Sequence, residues 1–229
     1  MKLLLGEKRL DRAERIQLYL SYILQLIIFG AVLISLYMQE WFNAAIVFCI
    51  LILTFIPAIV RRNYKVYLPV EFDFITVTFI FLAIFLGEIH GYYTTFWWWD
   101  VVLHTGSGFL LGLAGFVLVY ILNREKQISV KMKAGFIAFF ALCFALAVGA
   151  FWEIIEFTVD QLFGLYAQKG SLVDTMWDLV VDLLGALIIS LIGYFYLKKG
   201  HNFFLFDRML RKLIENNPQL FKKGKLRMK

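Results

Sequence analysis

Apolar residues in this chain come in long blocks rather than in alternation. Six blocks stand out, over residues 17–38, 42–60, 70–89, 99–122, 134–160 and 173–197. Each approaches the roughly 20 residues that a helix needs to cross a hydrocarbon core. None is a short alternating segment of the kind a membrane β-barrel requires. Lipid offers the backbone no hydrogen-bond partners, so spanning segments must satisfy themselves, and helices do. The pattern predicts an all-α integral membrane bundle of six transmembrane helices over residues 1–198, with a basic tail over 199–229. In that tail Phe203, Phe206, Leu210 and Leu213 share one helical face between Lys and Arg residues. This predicts an interfacial amphipathic helix lying on the inner leaflet. The first block follows a charged and mixed N-terminal stretch and no A-x-A site follows it, so it reads as an uncleaved span rather than a signal peptide.

The basic residues orient the bundle. Of the 23 Lys and Arg residues, all but Lys169 fall in the N-terminal stretch, the second loop (Arg61, Arg62, Lys65), the fourth loop (Arg124, Lys126, Lys131, Lys133) or the tail. Loops rich in Lys and Arg face the cytoplasm, so both termini are expected there. Composition agrees with the membrane class: 61% of residues are hydrophobic and 17% charged, against about half apolar in a soluble domain. The formal charge of +6 would elsewhere point to nucleic acid. Its distribution places it against an anionic inner leaflet instead, so membrane lipids are the expected partner and nucleic acid is not. Cys49 and Cys143 lie inside apolar blocks and are expected to be buried free thiols; no disulfide framework is indicated.

With this orientation the acids become conspicuous. The sixth block opens with "DTMWDLVVDLLGA", in which Asp174, Asp178 and Asp182 recur every four residues. At 1.5 Å per residue, Asp178 lies about 6 Å and Asp182 about 12 Å deeper than Asp174. The fifth block ends with "FWEIIEFTVD", placing Glu153, Glu156 and Asp160 on one face. The fourth opens with Asp100 and His104 one turn apart, and the third ends near Glu88 and His90. All of these fall on the outer side, where the only basic residue is Lys169. An acid at the bilayer centre costs about 2.5–3.5 kcal/mol on insertion scales. Water, protonation or bound cations must offset that cost.

An oxygen-rich set with one imidazole suits a divalent cation: Mg, Mn, Ca or Zn. The spacing nominates His104, Glu153, Asp178 and Asp182 as ligands, with Asp100 and Glu156 as general-base candidates. Glu88, His90, Asp160 and Asp174 are secondary candidates, since a polar residue at a helix end also serves simply to face water. Trp97, Trp98, Trp99, Trp152 and Trp177 fit an interfacial aromatic belt. Gly106, Gly108, Gly112 and Gly115, and later Gly185 with Ala186, predict close helix packing. Glu71 and Asp73, just after Pro69, are explained as acids at a helix N-terminus.

The stretches "LPVEF", "FLGEIHGYYTTFWWWDVVLHTGSGFLLGLAGF", "FWEIIEFTVD" and "DTMWDLVVDLLGA" resemble the YjdF-like family of bacterial membrane-spanning proteins. The resemblance covers roughly residues 60–195 and implies a multi-pass protein of the bacterial cytoplasmic membrane. It carries no reaction with it. The pattern is also distantly similar to VanZ-like proteins, linked to glycopeptide resistance and the cell envelope. Their D-x-x-x-H corresponds to Asp100 and His104, their later acid to Glu153, and their D-x-x-x-N-x-x-G-A to Asp178, Gly185 and Ala186. Asp182 stands where that family tends to have Asn, so the site here is more acidic.

Three functional classes follow. A metal-dependent membrane hydrolase or phosphoryl-transfer enzyme would act on a lipid or lipid-linked envelope substrate at the outer leaflet. A cation or proton transporter would use the same carboxylates as a pathway, although the inner halves of the last three spans are almost wholly apolar and no span looks broken at a midplane site. A non-catalytic envelope accessory protein would use the surface alone.

Overall fold

Five of the six apolar blocks form helices long enough to cross a bilayer, and the sixth is bent. The computed structural model describes residues 11–64, 69–124, 131–164, 168, 171–199 and 211–217. Among these every regular element is helical: α1 (Arg12–Tyr37), α2 (Trp41–Leu53), α3 (Ile56–Tyr64), α4 (Val70–Ile80) running on as a π-helix (Phe81–Ile89), α5 (Tyr92–Thr95), α6 (Trp97–Arg124), α7 (Ala134–Phe163), α8 (Leu172–Lys199) and α9 (211–216). The helices long enough to span are α1, α4 together with its π-helical continuation (Val70–Gly87), α6, α7 and α8, and a sixth span exists if α2 and α3 count as one. The axis bends 46° between α2 and α3. Pro57 supplies the cause: it has no N–H for Leu53 and its ring crowds that carbonyl. Thr54 donates to the Leu51 carbonyl (2.6 Å) and accepts from the Gln25 amide (3.1 Å), so polar groups at the break find partners.

Helix ends follow local chemistry. Asp11 caps α1, with Asp11 Oδ1 accepting from the Glu14 N–H and Glu14 Oε2 from the Asp11 N–H, both at 2.8 Å; this reciprocal pair satisfies two orphan donors. α7 stops at Gly164, whose φ of 65° is the left-handed value that ends helices without Cβ strain.

The described residues form two compact units, 11–95 with 211–217, and 96–199. In the first, Ile28, Val32, Val47, Ile50, Ile80 and Phe85 build the core. Several of its charges are ion-paired. Arg61 donates from Nη1 to both oxygens of Asp73 at 2.7 Å. Lys212 of α9 reaches Glu14 (2.6 Å) and Glu71 (2.5 Å). Glu71 and Asp73 do lie in the first turn of α4 after Pro69, but each also holds a cation from elsewhere in the chain.

One expectation is narrowed here and one corrected. Leu213 is 1% exposed and Asn217 fully buried, so this part of the tail packs one face into the first unit. The bridging Lys212 gives it a polar anchor there. Phe203, Phe206 and Leu210 lie outside the described residues. Cys49 and Cys143 are free thiols but exposed, not buried. A small apolar side chain on a membrane helix needs no protein cover, because hydrocarbon is its solvent there.

In the second unit α6, α7 and α8 pack against one another. Small residues make this close. A Cβ on Gly108 would overlap the Asp182 carbonyl, and one on Gly185 would overlap the Thr105 carbonyl. Gly112 sits against Ile189 and Ala186, and Gly115 against Phe144. α7 turns inward a stripe at four-residue spacing: Ile137, Ala141, Ala145, Gly149 and Glu153 are all buried. These contacts set the register that brings the acids of α7 and α8 level with the start of α6.

Candidate functional site

His104 organises the site. It projects from α6 one turn after Asp100, and its Nε2 lies 3.5 Å from Asp100 Oδ1. The same nitrogen lies 3.9 Å from Asp178 Oδ1 of α8. One ligand-type atom from each of Asp100, His104 and Asp178 falls within 4.8 Å of the other two. Ligand atoms around a four-coordinate ion with bonds of about 2.0–2.1 Å are about 3.3 Å apart. At up to 4.8 Å the set is wider than a loaded site. Its donors, two carboxylates and an imidazole, fit a divalent cation.

Asp182 stands on the other side of the ring. Its Oδ2 lies 3.5 Å from His104 Nδ1, and its Oδ1 accepts a 2.5 Å hydrogen bond from Ser107 Oγ. Ser107 also bridges to the His104 carbonyl at 2.8 Å. With Gly108 against its backbone and Gly149 leaving room for its carboxylate (an added Cβ would meet Oδ2 at 2.6 Å), Asp182 has little freedom. It is 2% exposed. A carboxylate behind a histidine fixes the ring's tautomer and orientation.

Glu153 reaches the same region from α7. It is 4% exposed and within electrostatic reach of His104 and Asp182. Neither of its carboxylate oxygens has a hydrogen-bond partner among the described residues. The Gln168 amide beside it bonds instead to the Glu153 carbonyl (3.2 Å) and to Thr175 Oγ1 (3.1 Å). So three aspartates and a glutamate surround one imidazole, which neutralises at most one of them. Two like charges 4 Å apart repel by about 4 kcal/mol at an effective dielectric of 20.

The other candidates are arranged differently. Glu156 accepts from Trp152 Nε1 at 2.9 Å, along its own helix. Asp160 Oδ2 accepts from the Gln168 N–H at 3.0 Å, tying the loop after α7. Asp174 lies in the first turn of α8, its own N–H donating to Ser171 Oγ at 3.3 Å, and acts on Asp178 through its charge. Glu88 and His90 belong to the first unit. His90 Nδ1 pairs with the Phe85 carbonyl at 3.0 Å, and its ring packs on Phe85, centroids 4.6 Å apart. The side chain of Glu88, like Lys169, lies outside the described residues. Sequence reasoning missed Ser107, Gln168 and Thr175. Ser107 had a signal, since it follows His104 by three residues and shares its face; the loop residue Gln168 had none.

Residues 16–199 match the family described as predicted membrane protein (DUF2238), and the chain belongs to that family. An uncharacterised protein of Thermotoga maritima is 30% identical over 125 residues, covering 55% of this chain and 62% of the relative. The chain thus matches less than two thirds of that relative's length. No solved structure matches.

Proposed function

We propose that this multi-pass membrane protein binds a divalent cation at Asp100, His104 and Asp178 and uses it as a membrane hydrolase or phosphoryl-transfer enzyme. One observation carries the reading: ligand atoms from two helices converge around His104, while Asp182 and Ser107 hold the opposite face of its ring. Isolated interfacial acids have no need of such a backing. Three protein ligands leave further positions on the cation for substrate or water. A bound cation of this kind polarises a phosphoryl or carbonyl oxygen and lowers the pKa of water. In this reading Asp100 is a ligand and Asp182 the residue that positions His104. Glu153, unpartnered and adjacent, is the best placed acid for proton transfer or substrate contact, ahead of Glu156, which is engaged with Trp152.

The basic loops orient the site toward the outer leaflet of a bacterial cytoplasmic membrane. The YjdF-like resemblance favours that location, and a lipid or lipid-linked envelope substrate is the proposed substrate there. The VanZ-like pattern at Asp100, His104, Glu153 and Asp178 points the same way.

Metal analysis of the purified protein tests the proposal. Near one divalent ion per chain is expected in the wild type, and background levels in His104→Ala and Asp178→Ala. Equal metal in wild type and both variants, or none in any, sinks the site. A loaded protein that turns over no phosphate-ester lipid in proteoliposomes removes the enzymatic part alone.

A further inference from the structure

A cavity of about 460 Å³ opens between α7 and α8, within the range of small-ligand sites. Glu153, Gln161, Gln168 and Thr175 contribute to its wall. The acid group of Glu153 is closed off from it: both carboxylate oxygens have under 1 Å² of exposed surface. Gln168 and Thr175 line the cavity and also lie close enough to act on that carboxylate, so they form the partition between the two. We propose that the Gln168 side chain is a gate in this partition, which when turned aside opens the cavity onto the Glu153 carboxylate. The proposal rests on the function proposed above and adds a controlled entrance to its acid cluster.

The backbone and the side chain of Gln168 are held differently. Its N–H donates to Asp160 Oδ2 at 3.0 Å, which fixes where the residue sits. Its side chain spans the helix pair: Nε2 donates to the Glu153 carbonyl on α7 (3.2 Å) and to Thr175 Oγ1 on α8 (3.1 Å). Both acceptors are neutral, and a net bond of that kind shifts an equilibrium by roughly two- to tenfold. Two of them keep the amide in place at rest and still let it turn, where a charged partner would lock it. Of the acids gathered about His104, Glu153 is the one in the cavity wall. It acts through its charge on His104 and Asp182. One turn deeper on α7, Gly149 faces Asp182, whose Oδ2 an added Cβ would meet at 2.6 Å. Closing such a site expels water and strengthens the electrostatic interactions inside it, and opening it admits what must bind there.

The test labels Glu153 with carbodiimides in the full chain in nanodiscs, read by peptide mass spectrometry. A water-soluble reagent reports access from the cavity, and a lipid-soluble one reaches the acid through the bilayer. The ratio of their rates cancels the reactivity of the acid itself. In wild type the ratio should be low. Gln168→Ala should raise it about tenfold or more, the value of the two lost bonds. Thr175→Val keeps the shape and removes one acceptor, and should raise it about threefold. Gln161→Ala, in the same wall but about two turns from Glu153, should leave it unchanged. A wild-type ratio as high as that of Gln168→Ala, or an equal rise in Gln161→Ala, would overturn the proposal. A rise shared by buried Asp73 of the first unit marks unfolding; Thr175→Val then decides, and no rise there overturns the gate. None of these variants touches a proposed ligand, so metal content is an independent reading. Gating without bound metal overturns only the metal-dependent function; metal without gating overturns only this inference.

Discussion

The two units meet the same liability in opposite ways. In the first, charges among apolar helices are matched by fixed partners. Arg61 holds both oxygens of Asp73, and Lys212 lies between Glu14 and Glu71. In the second, Asp100, Asp178 and Asp182 lie within 4 Å of a single imidazole, and buried Glu153 lies within its electrostatic reach. The first arrangement is what structural charges require. The second groups acids from three helices around one histidine, the arrangement that the proposed cation site would use.

The contrast breaks most visibly at the proposed ligands. Asp178→Ala should reduce bound metal from about one ion per chain to background, with chelation of the wild type giving the same loss. If the metal-free variant melts no lower than the metal-free wild type, the acid serves the ion and not the fold. A collapse of folding in both comparisons would instead make Asp178 a structural residue like Asp73.

Arg61 gives the opposite pattern. Removing one member of a buried pair costs about 3–5 kcal/mol because the other is left charged and unpaired. Arg61→Met should therefore lower the melting temperature by roughly 6–20 °C, at 2–4 °C per kcal/mol for a chain of this size. Arg61→Met with Asp73→Leu should recover most of that loss. A single variant as stable as wild type would show that the pair is solvated and that the comparison of units fails.

Behind the histidine the effect is smaller. Asp182→Asn keeps the shape and the Ser107 contact but removes the charge facing His104 Nδ1. Metal affinity should fall about 10–100-fold, the range for partners that orient a ligand, without loss of the site. Full loss of metal would make Asp182 a direct ligand, as its position in the sequence stripe first indicated.

How much of this was legible depended on whether the signal was periodic. Block length gave the spanning helices, and four-residue spacing put Asp178 and Asp182 on the buried face of α8. Glycine spacing anticipated close helix packing at Gly108 and Gly185, though not their partners Asp182 and Thr105. Hydropathy averages over a break, so it passed across Leu53–Ile56, where Pro57 was the clue. It also passed across Phe81–Ile89, where the π-helical turn has no residue that marks it. Shared helical face was a weaker guide than depth and packing: Glu153 continues the inward stripe of Gly149, whereas Glu156 turns to Trp152. The pairings Arg61–Asp73 and Lys212–Glu71 join residues 12 and 141 positions apart, and no local pattern encodes them.

Lys212 yields the smallest prediction and the most specific pH signature. Burial pulls its ammonium toward neutrality, but hydrogen bonds and charge from Glu14 and Glu71 outweigh that, and its pKa lies above the ordinary lysine value. A raised folded-state pKa stabilises the folded form fully below the unfolded value, about 10.4, and the gain is lost as pH rises through the higher folded value. Lys212→Met should thus cost about 1 kcal/mol, as for a partly solvated pair. The gap in melting temperature between variant and wild type should stay constant from about pH 6 to about pH 9 and close only above about 10.4. A gap that closes between pH 7 and 9 would mean that Lys212 is not held by the two glutamates. The anchor of α9 would then rest on the burial of Leu213 and Asn217 alone.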